Sequence, residues 1–224
     1  MCGRFAFYSP SEATAALFGV DNPPPVEPRY NIAPTQYIAA VRNNEKGSRE
    51  LTMLRWGLVP FWAKDPSIGN RMINARAETV AEKPSFRSAY KKRRCLILAD
   101  GFYEWHTEAG TKTPWFISPA DGKPFAFAGL WETWQDKESD ESMQTGTIIT
   151  SAASAFMETL HHRMPVILQS ETASVWLAGG DETLQDVAAI TPKMRAWPVA
   201  RTVNNARNEG AELIDPAGEE LREA

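Results

Sequence analysis

The chain has 224 residues, a formal net charge of -4, 43% apolar residues and only two cysteines. It is long enough to bury one sizeable core, and the cysteine count excludes a disulfide framework or a cysteine metal site. No run approaches the roughly eighteen apolar residues of a membrane span, and no signal-peptide pattern opens the chain, so a cytoplasmic protein without membrane partners is expected.

The first element is chemical. Met1 precedes Cys2 and Gly3, whose small side chains suit removal of an initiator methionine. The new terminus would carry an α-amine and a thiol on adjacent carbons. With reference pKa values of roughly 7.7 to 8.0 for the amine and 8.5 for the thiol, a useful fraction of the amine is neutral near neutral pH and can attack a carbonyl. Such an aminothiol traps aldehydes: the amine condenses to an imine, and the neighbouring sulfur closes a thiazolidine ring at high effective molarity. Taken alone, a cysteine in this place is more often a small buried hydrophobe than a nucleophile.

Ser9-Pro10-Ser11-Glu12 predicts a capping box leading into a short helix ended by Gly19. The proline-rich stretch from Asp21 to Pro28 is an extended connector. Tyr37 to Val41 and Leu51 to Trp56 are predicted antiparallel strands across the Asn43-Asn44-Glu45-Lys46-Gly47 turn. Trp56-Gly57-Leu58-Val59-Pro60-Phe61-Trp62 is a predicted loop presenting aromatics, which serve as platforms for unstacked bases or, more often, as core lids.

Asn74 and Arg76 stand two residues apart in Met72 to Thr79, so an extended backbone points them to one side. The amide suits a sugar hydroxyl or an amine, and the guanidinium a phosphate. A capping Asn beside a surface Arg would look the same. Arg71, Arg76, Arg87, Lys91, Lys92, Arg93 and Arg94 crowd the middle third, so a local basic face is expected on an acidic protein.

Arg94 to Asp100 is the most strand-like run, with Cys95 as a reduced core residue, and it continues past a glycine kink at Gly101. Alternation puts Phe102, Glu104 and His106 on one face and Tyr103 and Trp105 on the other. A carboxylate among aromatics is a candidate proton carrier; the alternative is an edge-strand glutamate facing water. Thr111 to Ser118 and Phe125 to Trp131 are predicted strands joined through Asp121-Gly122 as the continuation of a meander. Thr145 to Ser151 is another strand, and Ala155 to Leu160 a helical turn ahead of His161 and His162. Adjacent histidines cannot share a strand face, which argues against a metal pair and leaves one as a candidate proton carrier. Helices are predicted over Ser170 to Ala178 and Asp181 to Ile190, a last strand over Trp197 to Val203, and a disordered polar tail from Asp215.

These pieces form a pattern. Met1-Cys2-Gly3-Arg4, Asn31-Ile32-Ala33-Pro34, Trp56-Gly57-Leu58-Val59-Pro60, Asn74-Ala75-Arg76-Ala77-Glu78, Ala99-Asp100-Gly101-Phe102-Tyr103-Glu104-Trp105 and His161-His162-Arg163-Met164-Pro165 resemble, in order, the blocks of the SOS response-associated peptidase family. The resemblance covers residues 1–214, leaving 215–224 as the tail. It implies an α+β fold, a single domain with a mixed, mainly antiparallel and barrel-like β-sheet core and peripheral short helices. It also implies an abasic-site sensor in single-stranded DNA that cross-links covalently as a thiazolidine through Cys2 after Met1 removal, shielding the lesion from strand cleavage. Asn74 would orient the opened sugar, Glu104 move protons and His161 assist ring opening or reversal. Arg4, Arg76 and Arg163 would hold phosphates, with Asn31, Trp62, Trp105 and Thr150 on the same DNA-binding surface.

Some relatives carry two adjacent aromatics in the loop where this chain has Trp62 followed by Ala63, so a stacking contact is expected to be weaker here. The implied partners are abasic single-stranded DNA and single/double-strand junctions, bound by a monomer that associates with the nucleoid. No cofactor or metal is expected. AP-lyase and autopeptidase (hydrolase) activities accompany the family. The competing readings are a cysteine-type peptidase using Cys2 and a non-catalytic DNA-binding protein in which Cys2 is idle.

Overall fold

The computed structural model describes residues 2–136, 138–180, 184, 188 and 191–223. Among the described residues, fourteen strands and four short α-helices follow one another as β1 (Phe5–Phe7), α1 (Ser11–Leu17), β2 (Arg29–Ile32), β3 (Tyr37–Asn43), β4 (Arg49–Trp56), β5 (Asn74–Arg76), α2 (Arg87–Lys92), β6 (Arg94–Ala99), β7 (Gly101–Glu108), β8 (Thr111–Pro119), β9 (Phe125–Gln135), β10 (Ser142–Ala152), α3 (Ala155–Glu158), β11 (Arg163–Pro165), β12 (Ile167–Leu168), α4 (Ser170–Ala178), β13 (Met194–Pro198) and β14 (Leu221–Arg222). Short 3-10 turns cover Pro66–Arg71, Arg201–Asn204 and Ala211–Ile214. No helix among the described residues is long and apolar enough to cross a membrane.

Five strands close on themselves. β4, β3, β6 and β9 pair antiparallel in that order, β9 pairs β10, and β10 returns to β4 through a short parallel contact at Thr145–Arg55 and Gly146–Trp56. Closure removes the sheet edges that an open meander would expose. The fold is therefore the expected α+β single domain, mainly antiparallel and built around a barrel. The barrel interior is a continuous apolar cluster that includes Ile38, Leu54, Trp56, Ile97, Phe127 and Ile148, all fully buried. Cys95 is a buried free thiol in the same cluster, as its run suggested.

A second sheet, in the order β14-β13-β8-β7-β1-β2, lies against the barrel. Its β1 and β7 are sandwiched: Phe5 and Phe102 face the main core, while Ala6 and Tyr103 face a second cluster with Phe116, Trp197, Val203 and Leu213. The alternation read along 102–106 therefore holds. At Gly101 a Cβ would collide with the Phe116 ring and the Ile117 carbonyl, so only glycine lets the chain turn from the barrel strand β6 into β7.

Several expectations need correction. Helix α1 begins at Ser11 with Pro10 ahead of it and no side-chain cap. Ser9 instead donates its N–H and hydroxyl to Asp100, which pins the end of β1 to the β6–β7 corner. The Asp121-Gly122 connection is no hairpin: β8 pairs with β7 and β13, β9 with barrel strands, so the turn carries the chain from one sheet to the other. Trp56 is not a presented aromatic, because its indole is buried and donates to the Ile73 carbonyl; Phe61 and Trp62 are the exposed rings.

The last long strand lies earlier than expected, at Met194–Pro198, in register with β8. Beyond Asp215 the chain is ordered rather than free, since β14 pairs with β13 and the Glu223 carboxylate accepts from the Met194 N–H at 2.9 Å. The helix expected over 181–190 falls largely outside the described residues.

Candidate DNA-processing site

Three strands bring distant side chains to one end of the barrel. β5 runs parallel to the end of β10, with Asn74 beside Ile148 and Arg76 beside Thr150, and β11 flanks the same end, with Arg163 beside Ala152. The β1 lead-in, held to β7 by the Tyr103 N–H on the Arg4 carbonyl at 2.9 Å, carries Cys2 into this corner.

Cys2 is fully buried. Asn74 Nδ2 donates to its carbonyl oxygen at 2.8 Å, while Asn74 Oδ1 is buried without a partner among the described residues. Burial pushes the Cys2 thiol well above its ordinary range, and the nearby Glu104 charge pushes it further in that direction. Sulfur is thus held as a neutral thiol, and no thiolate is stored at rest. Glu104, itself buried, lies within electrostatic reach of both Cys2 and His161.

His161 follows α3, whose N-terminus Ser154 caps by accepting from the Met157 N–H, and its own N–H returns to the Met157 carbonyl at 2.8 Å. The Arg163 N–H lies 2.9 Å from His161 Nδ1. The Arg163 carbonyl lies 3.1 Å from the same nitrogen, so the Arg163 backbone holds the ring through Nδ1. Burial lowers the His161 pKa; the Glu104 charge opposes that shift without cancelling it. His162 stacks on the ring with centroids 4.4 Å apart. His106, on the Glu104 face of β7, places Nδ1 3.3 Å from the Leu160 carbonyl and so braces the turn that presents His161.

The cationic residues divide into two groups. Arg163 Nη2 donates to the Thr150 carbonyl at 2.7 Å, and the same guanidinium grips Glu78. Thr150 itself is buried, with Oγ1 3.4 Å from that nitrogen. Arg76 is exposed on the same edge. Arg4 donates to Asn31 Oδ1 at 2.6 Å and to the Val203 carbonyl at 2.8 Å, and stands 5.7 Å from the Trp105 ring centre. Trp105 Nε1 in turn donates to Asn204 at 2.7 Å.

Other expected residues sit elsewhere. Asn31 is fully buried, its carbonyl on Arg4 and its amide nitrogen shared among the Val203, Asn205 and Asn208 carbonyls. It has no free edge for DNA and acts as a scaffold for Arg4. Arg93 is paired with Glu132 at 2.6 Å, and Arg94 is buried between Tyr90 and Trp176, each ring centre 4.4 Å away. Both leave the expected basic face.

Trp62 is exposed, but it lines a cleft with Lys64, Trp134 and Gln135 at the far end of β10, where Trp134 Nε1 holds the Ala63 carbonyl. From Met143, opposite Trp134, to Thr150 is about 23 Å of strand. Trp62 is therefore separate from the Cys2 corner. Tyr103 Oη donates to the Tyr30 carbonyl at 2.7 Å, and Asp100 accepts from Tyr8 and Ser9. Among the described residues, no group of three or more His, Cys, Asp or Glu is placed to hold a metal ion.

The family model described as SOS response associated peptidase matches residues 1–206. The abasic site processing protein YoaM of Bacillus subtilis is 42% identical over 224 residues, covering 96% of this chain and 98% of its own length. The abasic site processing protein YedK of Escherichia coli is 33% identical, covering 96% of this chain and 100% of its own. A crystal structure of a protein from Bacteroides thetaiotaomicron superposes with a TM-score of 0.85 at 25% identity, over 96% of this chain and 100% of that one.

Proposed function

The chain belongs to the SOS response associated peptidase family, and from that premise we propose that it processes abasic sites in DNA by covalent capture through Cys2. The observation that carries the proposal is the convergence of Cys2, Asn74, Glu104 and His161 on one buried corner rimmed by Arg4, Arg76 and Arg163. Aldehyde chemistry needs an amine, a proton carrier and an anion-binding rim, and all three meet there once Met1 has been removed.

The steps balance as follows. The neutral α-amine of Cys2 adds to the C1 aldehyde of the ring-opened sugar, giving a carbinolamine. A proton delivered to its hydroxyl lets water leave and an imine form. Sγ then adds to the imine carbon, the thiol proton passes to the imine nitrogen, and the thiazolidine closes with no net oxidation. Asn74 holds the Cys2 carbonyl, and its open Oδ1 is an acceptor for a sugar hydroxyl. Glu104 and His161 are the proton carriers. The buried, neutral thiol favours amine attack first, because sulfur becomes useful only when an electrophilic carbon is already beside it.

Closure also protects the strand. A plain imine acidifies the adjacent sugar carbon and invites β-elimination; sulfur addition removes that electron sink. AP-lyase activity is then the outcome when sulfur is lost, and the junction preference rests on exposed rings such as Trp62. A peptidase that uses Cys2 as a thiolate is less well served by a sulfur whose ionisation is opposed by burial and by Glu104. The test is intact-mass analysis of the protein before and after mixing with a single-stranded oligonucleotide carrying one abasic site. Loss of the Met1 mass followed by a shift equal to the oligonucleotide less one water is expected. A retained methionine, or an unchanged mass, would overturn the proposal.

A further inference from the structure

Glu78 occupies a position that a phosphate would suit. Its Oε1 lies 2.5 Å from Arg163 Nη1 and its Oε2 3.0 Å from Nη2, the two-pronged geometry by which guanidinium groups also hold phosphates. Arg76 lies close enough to add its positive field, and the Glu78 carboxyl is held below its ordinary range, chiefly by the Arg163 hydrogen bond.

The partners are unequally anchored. The Arg163 side chain is only 13% exposed and is held from behind by the Thr150 carbonyl, whereas the Glu78 side chain is 51% exposed. The guanidinium is therefore a fixed fork and the carboxylate its removable occupant. An exposed carboxylate in such a pair gives up little energy when it swings into water. The geometry is that of an anion site already filled by an internal anion.

We propose that Glu78 is an internal stand-in for a DNA phosphate: it fills the Arg163 fork in the free protein and must yield it when a strand docks. It thereby weakens binding to every strand alike. An undamaged strand has nothing to offset that loss, while an abasic strand goes on to form a covalent bond. Glu78 is thus a specificity-determining residue that shortens the stay on intact DNA. The inference rests on the DNA reading above. The opposite role, in which Glu78 only steadies Arg163 for a phosphate bound at another edge, predicts the opposite sign.

Glu78→Gln removes the charge with little change of shape. Binding of an undamaged single-stranded oligonucleotide, followed by fluorescence anisotropy across a salt series, is the readout. We expect Glu78→Gln to bind roughly twofold to fivefold more tightly at low salt, the range an exposed ion pair carries. The slope of log affinity against log salt should steepen by about 0.7, the release of one more counterion. Glu78→Asp, which keeps the charge, should retain the wild-type slope. In an Arg163→Ala background the Glu78→Gln gain should vanish.

Weaker binding by Glu78→Gln, or unchanged affinity and slope, overturns the proposal. If the wild-type protein neither binds the intact strand nor gains mass with the abasic one, the DNA reading itself fails. If the wild type cross-links normally while Glu78→Gln binds less tightly, only the stand-in role fails.

Discussion

The side-chain amide of Asn74 donates to the Cys2 carbonyl across 2.8 Å, joining β5, which runs beside β10, to the proposed nucleophile. A chain terminus is normally among the most mobile parts of a domain. This bond, with β1 pairing on β7, holds the Cys2 backbone in a fixed attitude toward Glu104 and His161. Positioning of this kind is what turns an ordinary aminothiol into an efficient trap.

Asn74→Ala should therefore slow adduct formation far more than it destabilises the fold. The lost hydrogen bond leaves a buried carbonyl unpaired, a cost of about 1 to 3 kcal/mol. Single-turnover cross-linking and urea unfolding, measured on the same preparation, separate the two effects. A rate equal to wild type would show that the bond has no part in positioning.

Cys2→Ala should form no heat-stable adduct with an abasic oligonucleotide. The new terminal amine still makes an imine, so borohydride should trap it and strand nicking should appear without the reductant. The check is a denaturing gel with and without borohydride. A heat-stable adduct from this variant would remove sulfur from the mechanism.

Thiol reactivity offers a test that needs no DNA. Cys2 and Cys95 are both buried, and burial raises both thiols above their ordinary range. The native protein at neutral pH should take up iodoacetamide at neither position on a timescale that labels both in urea, as read by peptide mass mapping. Rapid native labelling of Cys2 would mean that its thiol is open and ionised at rest.

His161 supplies a pH dependence with a definite sign. Its folded-state pKa is lowered, chiefly by burial, so below the unfolded value of about 6.5 the unfolded chain takes up a proton that the folded site resists. Stability from this residue is intact at neutral pH and falls as the solution is acidified through that value. His161→Gln should lose less stability than wild type between about pH 7 and pH 5, measured by urea midpoints. An equal or larger loss in the variant would contradict the burial argument.

Asn31→Ala should act at a distance through Arg4. The amide holds Arg4 and the carbonyls of Val203, Asn205 and Asn208 together, so its removal frees both the guanidinium and the 3-10 segment. We expect a stability loss of about 1 to 3 kcal/mol and weaker DNA binding. Adding Arg4→Gln should cost little more, because the two residues share one network. Fully additive losses would mean that Asn31 and Arg4 work independently.

Local signals carried part of this picture well. The spacing of Phe102, Glu104 and His106 placed one face of β7 correctly, since strand alternation is a property of the backbone. The β3–β4 hairpin followed from its Asn and Gly turn for the same reason. The Asp121-Gly122 turn misled, because a turn reports a change of direction and not which sheet receives the next strand. Arg93 and Arg94 misled likewise: charge in the sequence does not say whether Glu132, or the rings of Tyr90 and Trp176, will claim it.

By itself the sequence determined the chemistry on offer: an aminothiol once Met1 is gone, an amide and a guanidinium two residues apart, a carboxylate on an apolar strand face, and a histidine pair before a proline. It also carried the family resemblance that implied the α+β class. Only the tertiary structure decided which groups meet. Closure of β10 onto β4 and the docking of β1 along β7 bring residues from opposite ends of the chain to one corner, bury Asn31 behind Arg4 and put Trp62 at the far end of β10. The reason is that alternation and turn chemistry act over a few residues, whereas the pairing of distant strands is settled by burial of the whole apolar interior at once.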